Sequence, residues 1–327
     1  MFEFFITRPL GWIIQLIYNL VQNYGVAIIL FTAVVKLILL PLQIKSQKSM
    51  KKQQMIQPIV AELQKKYAND KEKLQMEMMK VYKENNVSMA GGCLPTLIQF
   101  PILIGLYQVI QKPLSYLMNL DFKATDVMER IHQVVERMVE VGAQANVGNL
   151  ASMGVEELAK NIQKLNQIPF LTWTRYLNEQ FGEFADWVLN FNFLGLDLSK
   201  NPSAGFSALI GGNFDNLNTI LLLLIPAVAI FATWFSLRQT QKQSGQTTQT
   251  NDASPAASMT KSMNLIMPIM TGVFTFTLPA AMGIYWIASS VMQIVTQHIL
   301  NAYFDKKEDD FVVKIPEKNR NKRKKRS

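Results

Sequence analysis

The sequence predicts an all-α membrane protein with five transmembrane helices, a cytoplasmic helical hairpin and an N-terminal interfacial helix. Hydrophobic residues make up 49% of the 327 positions, and they gather in long uncharged runs. Lysine and arginine concentrate between those runs, and the formal net charge is +9. In a membrane protein such a charge first indicates cytoplasmic loops, so we expect a lipid bilayer as the surroundings and no binding to DNA.

Five apolar runs approach or reach the length of about 20 residues that crossing a bilayer requires. They are residues 24–43, 91–112, 217–238, 263–279 and 280–303. The last two runs meet at Pro279, so a tight helical hairpin is expected there. None of the runs contains Asp or Glu. Proton-coupled and cation-coupled transporters usually place carboxylates in the membrane, so this pattern disfavours them but leaves a passive pore open.

The basic residues between the spans predict the orientation. Residues 44–90 carry ten lysines, and the tail 304–327 carries ten lysines or arginines. Residues 113–216 instead carry seven basic against twelve acidic side chains. By the positive-inside rule, the first segment, the loop 239–262 and the tail are cytoplasmic, whereas the insertion 113–216 and the N-terminus lie outside.

Residues 1–23 precede the first span. Gln15, Asn19 and Gln22 recur at helical spacing among apolar residues, which predicts an amphipathic helix in the outer interface. The alternative is a cleaved signal peptide, which would need a basic start and a small-residue cleavage site.

The hydrophilic segment 44–90 is predicted to form an antiparallel helical hairpin. Pro58 suits the first turn of a new helix, and Asn69 and Asp70 suit a turn with a helix N-cap. The methionines of this segment suit an adaptable apolar surface. Alternatively they pack the two helices together, which we favour for Met78.

The outer segment 113–216 is long for a loop, so we expect it to carry structure of its own. Apolar residues recur at helical spacing in 126–141 and 155–165, and residues 170–189 are rich in aromatic side chains. The segment could be a lid or a partner-binding module, or a surface elaboration without a separate role.

The motifs of common enzyme sites are missing from the sequence. It contains no phosphate-binding loop, no dinucleotide fingerprint, no serine-hydrolase elbow and no zinc-protease motif. Cys93 is the only cysteine, and His132 and His298 fall in different compartments on this topology. We therefore predict no enzyme activity, no cofactor and no metal site.

Lys36 is the one charge well inside an apolar run. The long Lys36 side chain could extend so that its ammonium reaches the cytoplasmic interface, or the ammonium could face a water-filled groove. The sequence favours neither alternative. Polar residues that could line such a groove are Thr96, Gln99, Gln108, Thr233, Tyr285, Ser289, Ser290 and Gln293. Each of them alone is also ordinary for helix contacts in a membrane bundle.

Several runs resemble one known family, the YidC-type membrane protein insertases. Residues 35–42 resemble the family's first core helix, in which a basic residue lies five positions before a proline. The run 91–101, which reads Gly-Gly-Cys-Leu-Pro-Thr-Leu-Ile-Gln-Phe-Pro, is similar to the family's most specific motif. Residues 193–201 and the Gly-Ile-Tyr-Trp-Ile run at 283–287 also match. The family most often has Arg where this chain has Lys36, and residues 114–190 lack a counterpart in the five-helix core.

The resemblance implies a protein that inserts nascent membrane proteins and helps them fold, without nucleotide, through a groove open to the cytoplasm and lipid. It adds Trp286 to the groove and makes the hairpin a substrate receiver, with Ile59, Leu63, Met76 and Met79 as candidate contacts. Further candidate partners are a Sec-type translocon and, through the basic tail, the ribosome, although that tail could instead lie on anionic lipid.

The resemblance also implies a location, the plasma membrane of a bacterium similar to Gram-positive members of the family. Two other functions remain open on the same residues. The protein could be a passive channel or transporter, or it could be a scaffold for assembly of membrane complexes.

Overall fold

The computed structural model describes residues 2–87, 94–142, 153–164, 166–212, 217–243 and 255–305. The described chain is mostly helical. It divides into two compact units. Unit 1 comprises Met1–Val34, Phe100–Ala229 and Gly272–Ala288, and unit 2 comprises Val35–Gln99, Ile230–Thr271 and Ser289–Ser327. The protein is an all-α membrane protein, as the apolar runs predict.

The first half of the chain forms a π-helical turn (Glu3–Thr7) that continues into α1 (Arg8–Val21), followed by α2 (Tyr24–Ile38), α3 (Leu40–Lys66), α4 (Lys71–Glu84) and α5 (Leu94–Gln111). The outer segment adds α6 (Pro113–Tyr116), α7 (Thr125–Glu140), α8 (Val155–Lys164), α9 (Ile168–Phe181), a 3₁₀ turn (Ala185–Trp187), strands β1 (Asn192–Phe193) and β2 (Leu196–Asp197), and α10 (Pro202–Ile210). The chain ends with α11 (Leu217–Leu221), α12 (Leu224–Gln243), α13 (Pro255–Thr277) and α14 (Ala280–Asp305).

Within these described ranges, two helical stretches are long and apolar enough to cross a membrane, Glu3–Val21 and Leu217–Gln241. A third is added if Tyr24–Ile38 and Leu40–Lys66, which are bent by 61°, count as one span. Leu265–Thr277 is a shorter apolar helix. The five spans therefore stay a prediction, and so does the interfacial position of the first helix, whose length alone would also suit a span.

Prolines explain two breaks in the apolar helices. Pro41 has no amide hydrogen to donate to the carbonyl of Leu37, and the helix bends at Leu39 between α2 and α3. Pro226 likewise cannot donate to Leu222, where α11 gives way to α12. Pro58 behaves differently from the sequence prediction, because α3 continues through it instead of starting there. That prediction was wrong: α3 tolerates the missing hydrogen bond near its middle.

Helices α3 and α4 fold back on each other around their own apolar cluster in unit 2. The cluster consists of Ile56, Val60, Leu63, Val81, Tyr82 and Val87, and Ile59, Tyr67, Leu74 and Met78 pack against it. As the sequence predicts, Asp70 is the N-cap of α4, where its carboxylate accepts a hydrogen bond from the Lys73 amide at 3.0 Å. Met78 thus takes the packing role that we favoured for it.

The outer segment has structure of its own. The predicted helices are present, and the apolar face of α7 is buried through Val127, Ile131, Val134, Val135 and Met138. The antiparallel hairpin β1–β2 was not predicted, because two-residue strands are too short to show an alternating pattern. Its turn has left-handed backbone at Leu194 (φ 51°) and Gly195 (φ 80°).

Residues 190–201, which we call the clasp, bind the end of α13 and the start of α14 within unit 1. The carbonyls of Leu198 and Lys200 accept hydrogen bonds from the first amides of α14, at 3.1 and 2.9 Å. The Asn201 amide donates to the carbonyl of Thr277 at the end of α13, at 3.0 Å. These hydrogen bonds give partners to N–H groups at the start of α14 and to a C=O group at the end of α13, which have no partner within their own helices.

Within the outer segment, an acidic side chain of the clasp joins it to α9. Burial opposes ionisation of Asp197, but the Arg175 guanidinium at 2.7 Å and two hydrogen bonds from Ser199 outweigh it, so the pKa of Asp197 lies below its ordinary value. A depressed carboxylate pKa stabilises the folded protein at pH values above the unfolded pKa. That stabilisation is lost as the pH falls through the folded pKa.

We expect thermal unfolding of the detergent-solubilised protein to show this dependence. The wild-type unfolding temperature should fall on acidification below about pH 4, the ordinary range of an Asp pKa. The Asp197→Asn variant should be less stable than the wild type at neutral pH. Its unfolding temperature should fall less than that of the wild type on acidification. A parallel fall in both proteins would contradict a role for this carboxylate.

Gly25 offers a second test, because a Cβ atom there would overlap the ring of Phe193. We expect Gly25→Ala to destabilise the protein by about 1–3 kcal/mol, the usual range for overpacking. Adding Phe193→Ala should relieve that cost, as measured by a double-mutant cycle of unfolding temperatures. Gly154→Ala is the matched control, since open space surrounds that position. Equal effects at the two glycines would rule out the close contact.

Candidate functional site

The candidate site lies in unit 2 and centres on Lys36 in the last turn of α2. Its ammonium donates a hydrogen bond to the amide oxygen of Gln293 on α14, at 3.3 Å. Among the residues that the structure describes, Lys36 forms no ion pair. A cation in an apolar helix is thus held by a neutral partner, so its charge is not cancelled locally.

One face of α14 is polar from Gln293 towards the C-terminal end of the helix. Gln293, Gln297 and Asn301 recur every four residues, so they lie on one face of the helix. Gln297 donates to the Thr240 hydroxyl of α12 at 2.5 Å, and Gln47 of α3 donates to Asn301 at 2.6 Å. Three side-chain hydrogen bonds therefore link α14 to α2, α12 and α3.

Buried polar side chains surround this face within unit 2. Ser46 and Gln47 of α3, Ser236 of α12 and Ser290 of α14 are each less than a tenth exposed. The hydroxyl of Thr233 is buried and has no hydrogen-bond partner within the described part of the chain. Burying polar groups in a membrane protein costs free energy unless water or a ligand hydrogen-bonds to them.

The structure brings only part of the predicted groove set together. Lys36 contacts Gln293 directly, and Ser289 and Ser290 lie about one turn earlier on the same helix. Thr233 and Gln99 belong to the same unit. The Thr96 side chain lies outside the described positions, as do residues 91–93 of the family-like run and residues 306–327 of the basic tail.

The other three predicted groove residues belong to unit 1. The amide oxygen of Gln108 accepts a hydrogen bond from the hydroxyl of Thr7 at 2.9 Å. Tyr285 is 3% exposed, and the Trp286 ring stacks on Phe274 with 6.1 Å between centroids. The side chains of Gln108 and Trp286 thus each contact another residue of unit 1.

Sequence reasoning missed several polar residues of the site. Gln43, Gln47, Gln239, Thr240, Gln297 and Asn301 were not among the predicted groove residues. The four-residue recurrence of Gln293, Gln297 and Asn301 could have found part of this set. Gln47 was hidden because it belongs to the hydrophilic segment 44–90, and Gln43 because it is the last residue of the apolar run 24–43.

The predicted contact residues of the α3–α4 pair separate into two groups. Leu63 is 5% exposed and Ile59 packs against the same cluster, so both serve the internal packing of the pair. Met76 and Met79 are 60% and 55% exposed on α4. Of the four predicted contact residues, Met76 and Met79 are the exposed ones.

Metal binding has no support in the described ranges, where no group of three or more His, Cys, Asp or Glu side chains could hold an ion. The site is therefore a set of amides, hydroxyls and one ammonium. Such groups bind through hydrogen bonds and charge.

Comparison with known proteins identifies relatives of this chain. It is 48% identical over 106 residues to the membrane protein insertase YidC of Nitratidesulfovibrio vulgaris (strain DP4), a match that covers 32% of this chain and 20% of that protein. It is 57% identical over 93 residues to the YidC of Clostridium perfringens (strain 13 / Type A), covering 28% of this chain and 39% of the relative. The match thus spans about a fifth of the first relative and two fifths of the second.

A family model covers far more of the chain. The model of the 60Kd inner membrane protein matches residues 16–307, which include α2, α3, α12 and α14 with all residues of the candidate site. The chain belongs to the 60Kd inner membrane protein family.

Proposed function

We propose that this protein inserts nascent membrane proteins into the bilayer through a hydrophilic groove in unit 2. The hydrogen bond between Lys36 and Gln293 is the observation that carries the proposal, because it keeps an uncancelled positive charge beside a polar helix face. The relatives named membrane protein insertases and the family membership support the same activity.

The physical task of such a groove is to lower the cost of moving polar groups through an apolar layer. A charge at the centre of a membrane helix costs about 2.5–3.5 kcal/mol on insertion scales, and unpaired backbone groups add to it. Lys36 would attract acidic or carbonyl groups of the moving segment. Because only binding and desolvation change, the proposed activity has no covalent step.

The proposed topology has five spans, with the N-terminus outside and the C-terminus in the cytoplasm. Contacts within unit 1 support an interfacial α1. A Cβ at Gly105 would come within 2.9 Å of Ile6 and Leu10, and Thr7 bonds to Gln108. Gly105 and Gln108 lie in the last two turns of α5, so the start of α1 lies beside the part of that span that is predicted to be its outer end.

The α3–α4 pair is the proposed receiving surface on the cytoplasmic side. Its helices pack through their own cluster, so the pair does not depend on a substrate for its shape. The exposed Met76 and Met79 can adapt to different apolar helices. A Sec-type translocon and the ribosome are further proposed partners, the latter through the basic tail.

The first test changes the charge at Lys36 and measures insertion of a single-span protein into liposomes that contain the purified variant. Lys36→Arg should keep insertion within about twofold, because the charge remains. Lys36→Ala and Lys36→Glu should reduce it by roughly tenfold, as expected for losing a contact to a charged group.

Leu37→Ala is the matched control, because Leu37 is 66% exposed beside Lys36 on the same helix. Normal insertion by Lys36→Glu at equal protein level would contradict a role for the charge. Solute flux without insertion would favour a passive channel. A scaffold predicts neither activity in this assay.

A second test addresses the receiving surface. We expect Met76→Gln combined with Met79→Gln to weaken photo-crosslinking of a nascent apolar segment by roughly fivefold, because apolar contact area is lost. Gln75→Ala is the control, an exposed neighbour on the same helix. The helical content of the variants, measured by circular dichroism, should stay unchanged. Crosslinking at the wild-type level would show that these methionines do not receive the segment.

A further inference from the structure

Three glutamine side chains of unit 2 have buried amide oxygens that accept no hydrogen bond from any residue in the described ranges. They are Gln43 on α3, Gln239 on α12 and Gln297 on α14, which we call the amide cluster. Gln43 is 7% exposed and Gln297 is 2% exposed. Since at least about nine in ten buried polar groups in proteins are hydrogen-bonded, three such oxygens in one region need a physical reason.

The hydrogen bonds around the cluster place its members at one level. Lys36 at the end of α2 bonds to Gln293, and farther along the chain Gln47 of α3 bonds to Asn301, so the path from α2 into α3 runs in the same direction as α14. Gln43 and Gln297 each lie one turn before that second pair and are therefore level with each other.

The third helix joins at the same level. Thr240 of α12 accepts the hydrogen bond from Gln297, and Gln239 is its chain neighbour. The cluster thus lies about one helical turn, roughly 5.4 Å, along α14 from the contact of Lys36 with Gln293.

We propose that the amide cluster is a second binding subsite, which accepts hydrogen bonds from backbone N–H groups of a polar segment passing in extended form. This inference rests on the proposed function. An extended peptide leaves both an N–H and a C=O open at every residue, and Lys36 can only donate. The cluster supplies the missing acceptors beside it.

The geometry and the chemistry fit a donor subsite at Lys36 and an acceptor subsite at the amide cluster. Extended chain advances about 3.3 Å per residue, so the roughly 5.4 Å between the two subsites spans one to two residues. Glutamine stays neutral at every physiological pH, whereas a carboxylate at the same level would pair with Lys36 and cancel its charge. Neutral acceptors therefore leave the ammonium available to the segment.

The test replaces Gln43 and Gln239 together by Leu, which removes two acceptors and keeps the Gln297–Thr240 hydrogen bond. Insertion of the single-span protein into liposomes should fall by roughly fivefold, the size expected for about one lost hydrogen bond. The unfolding temperature should stay equal or rise, because buried acceptors without donors are replaced by apolar groups. Gln53→Leu, a buried glutamine farther along α3, is the matched control and should leave insertion unchanged.

The outcomes separate this inference from the proposed function. Full insertion by the double variant would overturn the subsite, and insertion that falls together with the unfolding temperature would show a packing role instead. Wild-type protein that inserts nothing would overturn the proposed function and this inference with it.

Photo-crosslinking from the cluster supplies an independent readout. A photoreactive residue at position 43 or 239 should capture the polar segment of a stalled substrate. One at Val295, which is 48% exposed on α14, should capture lipid or the apolar helix. Capture of the polar segment from position 295 alone would contradict the subsite.

Discussion

A polar group that enters an apolar layer without a partner costs free energy, and most of the described structure follows from this constraint. It makes the spans helical, since a helix satisfies its own backbone. It also explains why the chain bends beside Pro41, where one carbonyl of α2 loses its donor. The same constraint acts on side chains, and the contact of Lys36 with Gln293 is its clearest result in unit 2.

The clasp shows the constraint at helix ends. The start of α14 and the end of α13 meet at Pro279, and both leave backbone groups open. The carbonyls of Leu198 and Lys200 and the amide of Asn201 satisfy these groups. Arg175 and Ser199 hydrogen-bond to Asp197 of the clasp. The position of the clasp against the two helix ends therefore depends on these side chains as well.

Unit 2 departs from the constraint, and the departure coincides with its proposed activity. Its helices meet through glutamines, serines and threonines, and several buried acceptors have no donor among the described side chains. A packed apolar interior would be more stable than such a set. The amide cluster therefore fits a surface that hydrogen-bonds to something other than this chain.

The sequence by itself determined that this is a helical membrane protein, and it pointed to Lys36, because long apolar runs and a charge inside one of them are local features. It also predicted the N-cap at Asp70 and the buried face of α7, which depend on neighbours within one helix. Only the tertiary structure decided that Gln293 is the partner of Lys36 and that Gln43 is level with Gln297. Such pairings join residues more than two hundred positions apart, and side-chain spacing along one helix carries no information about which other helix will face it.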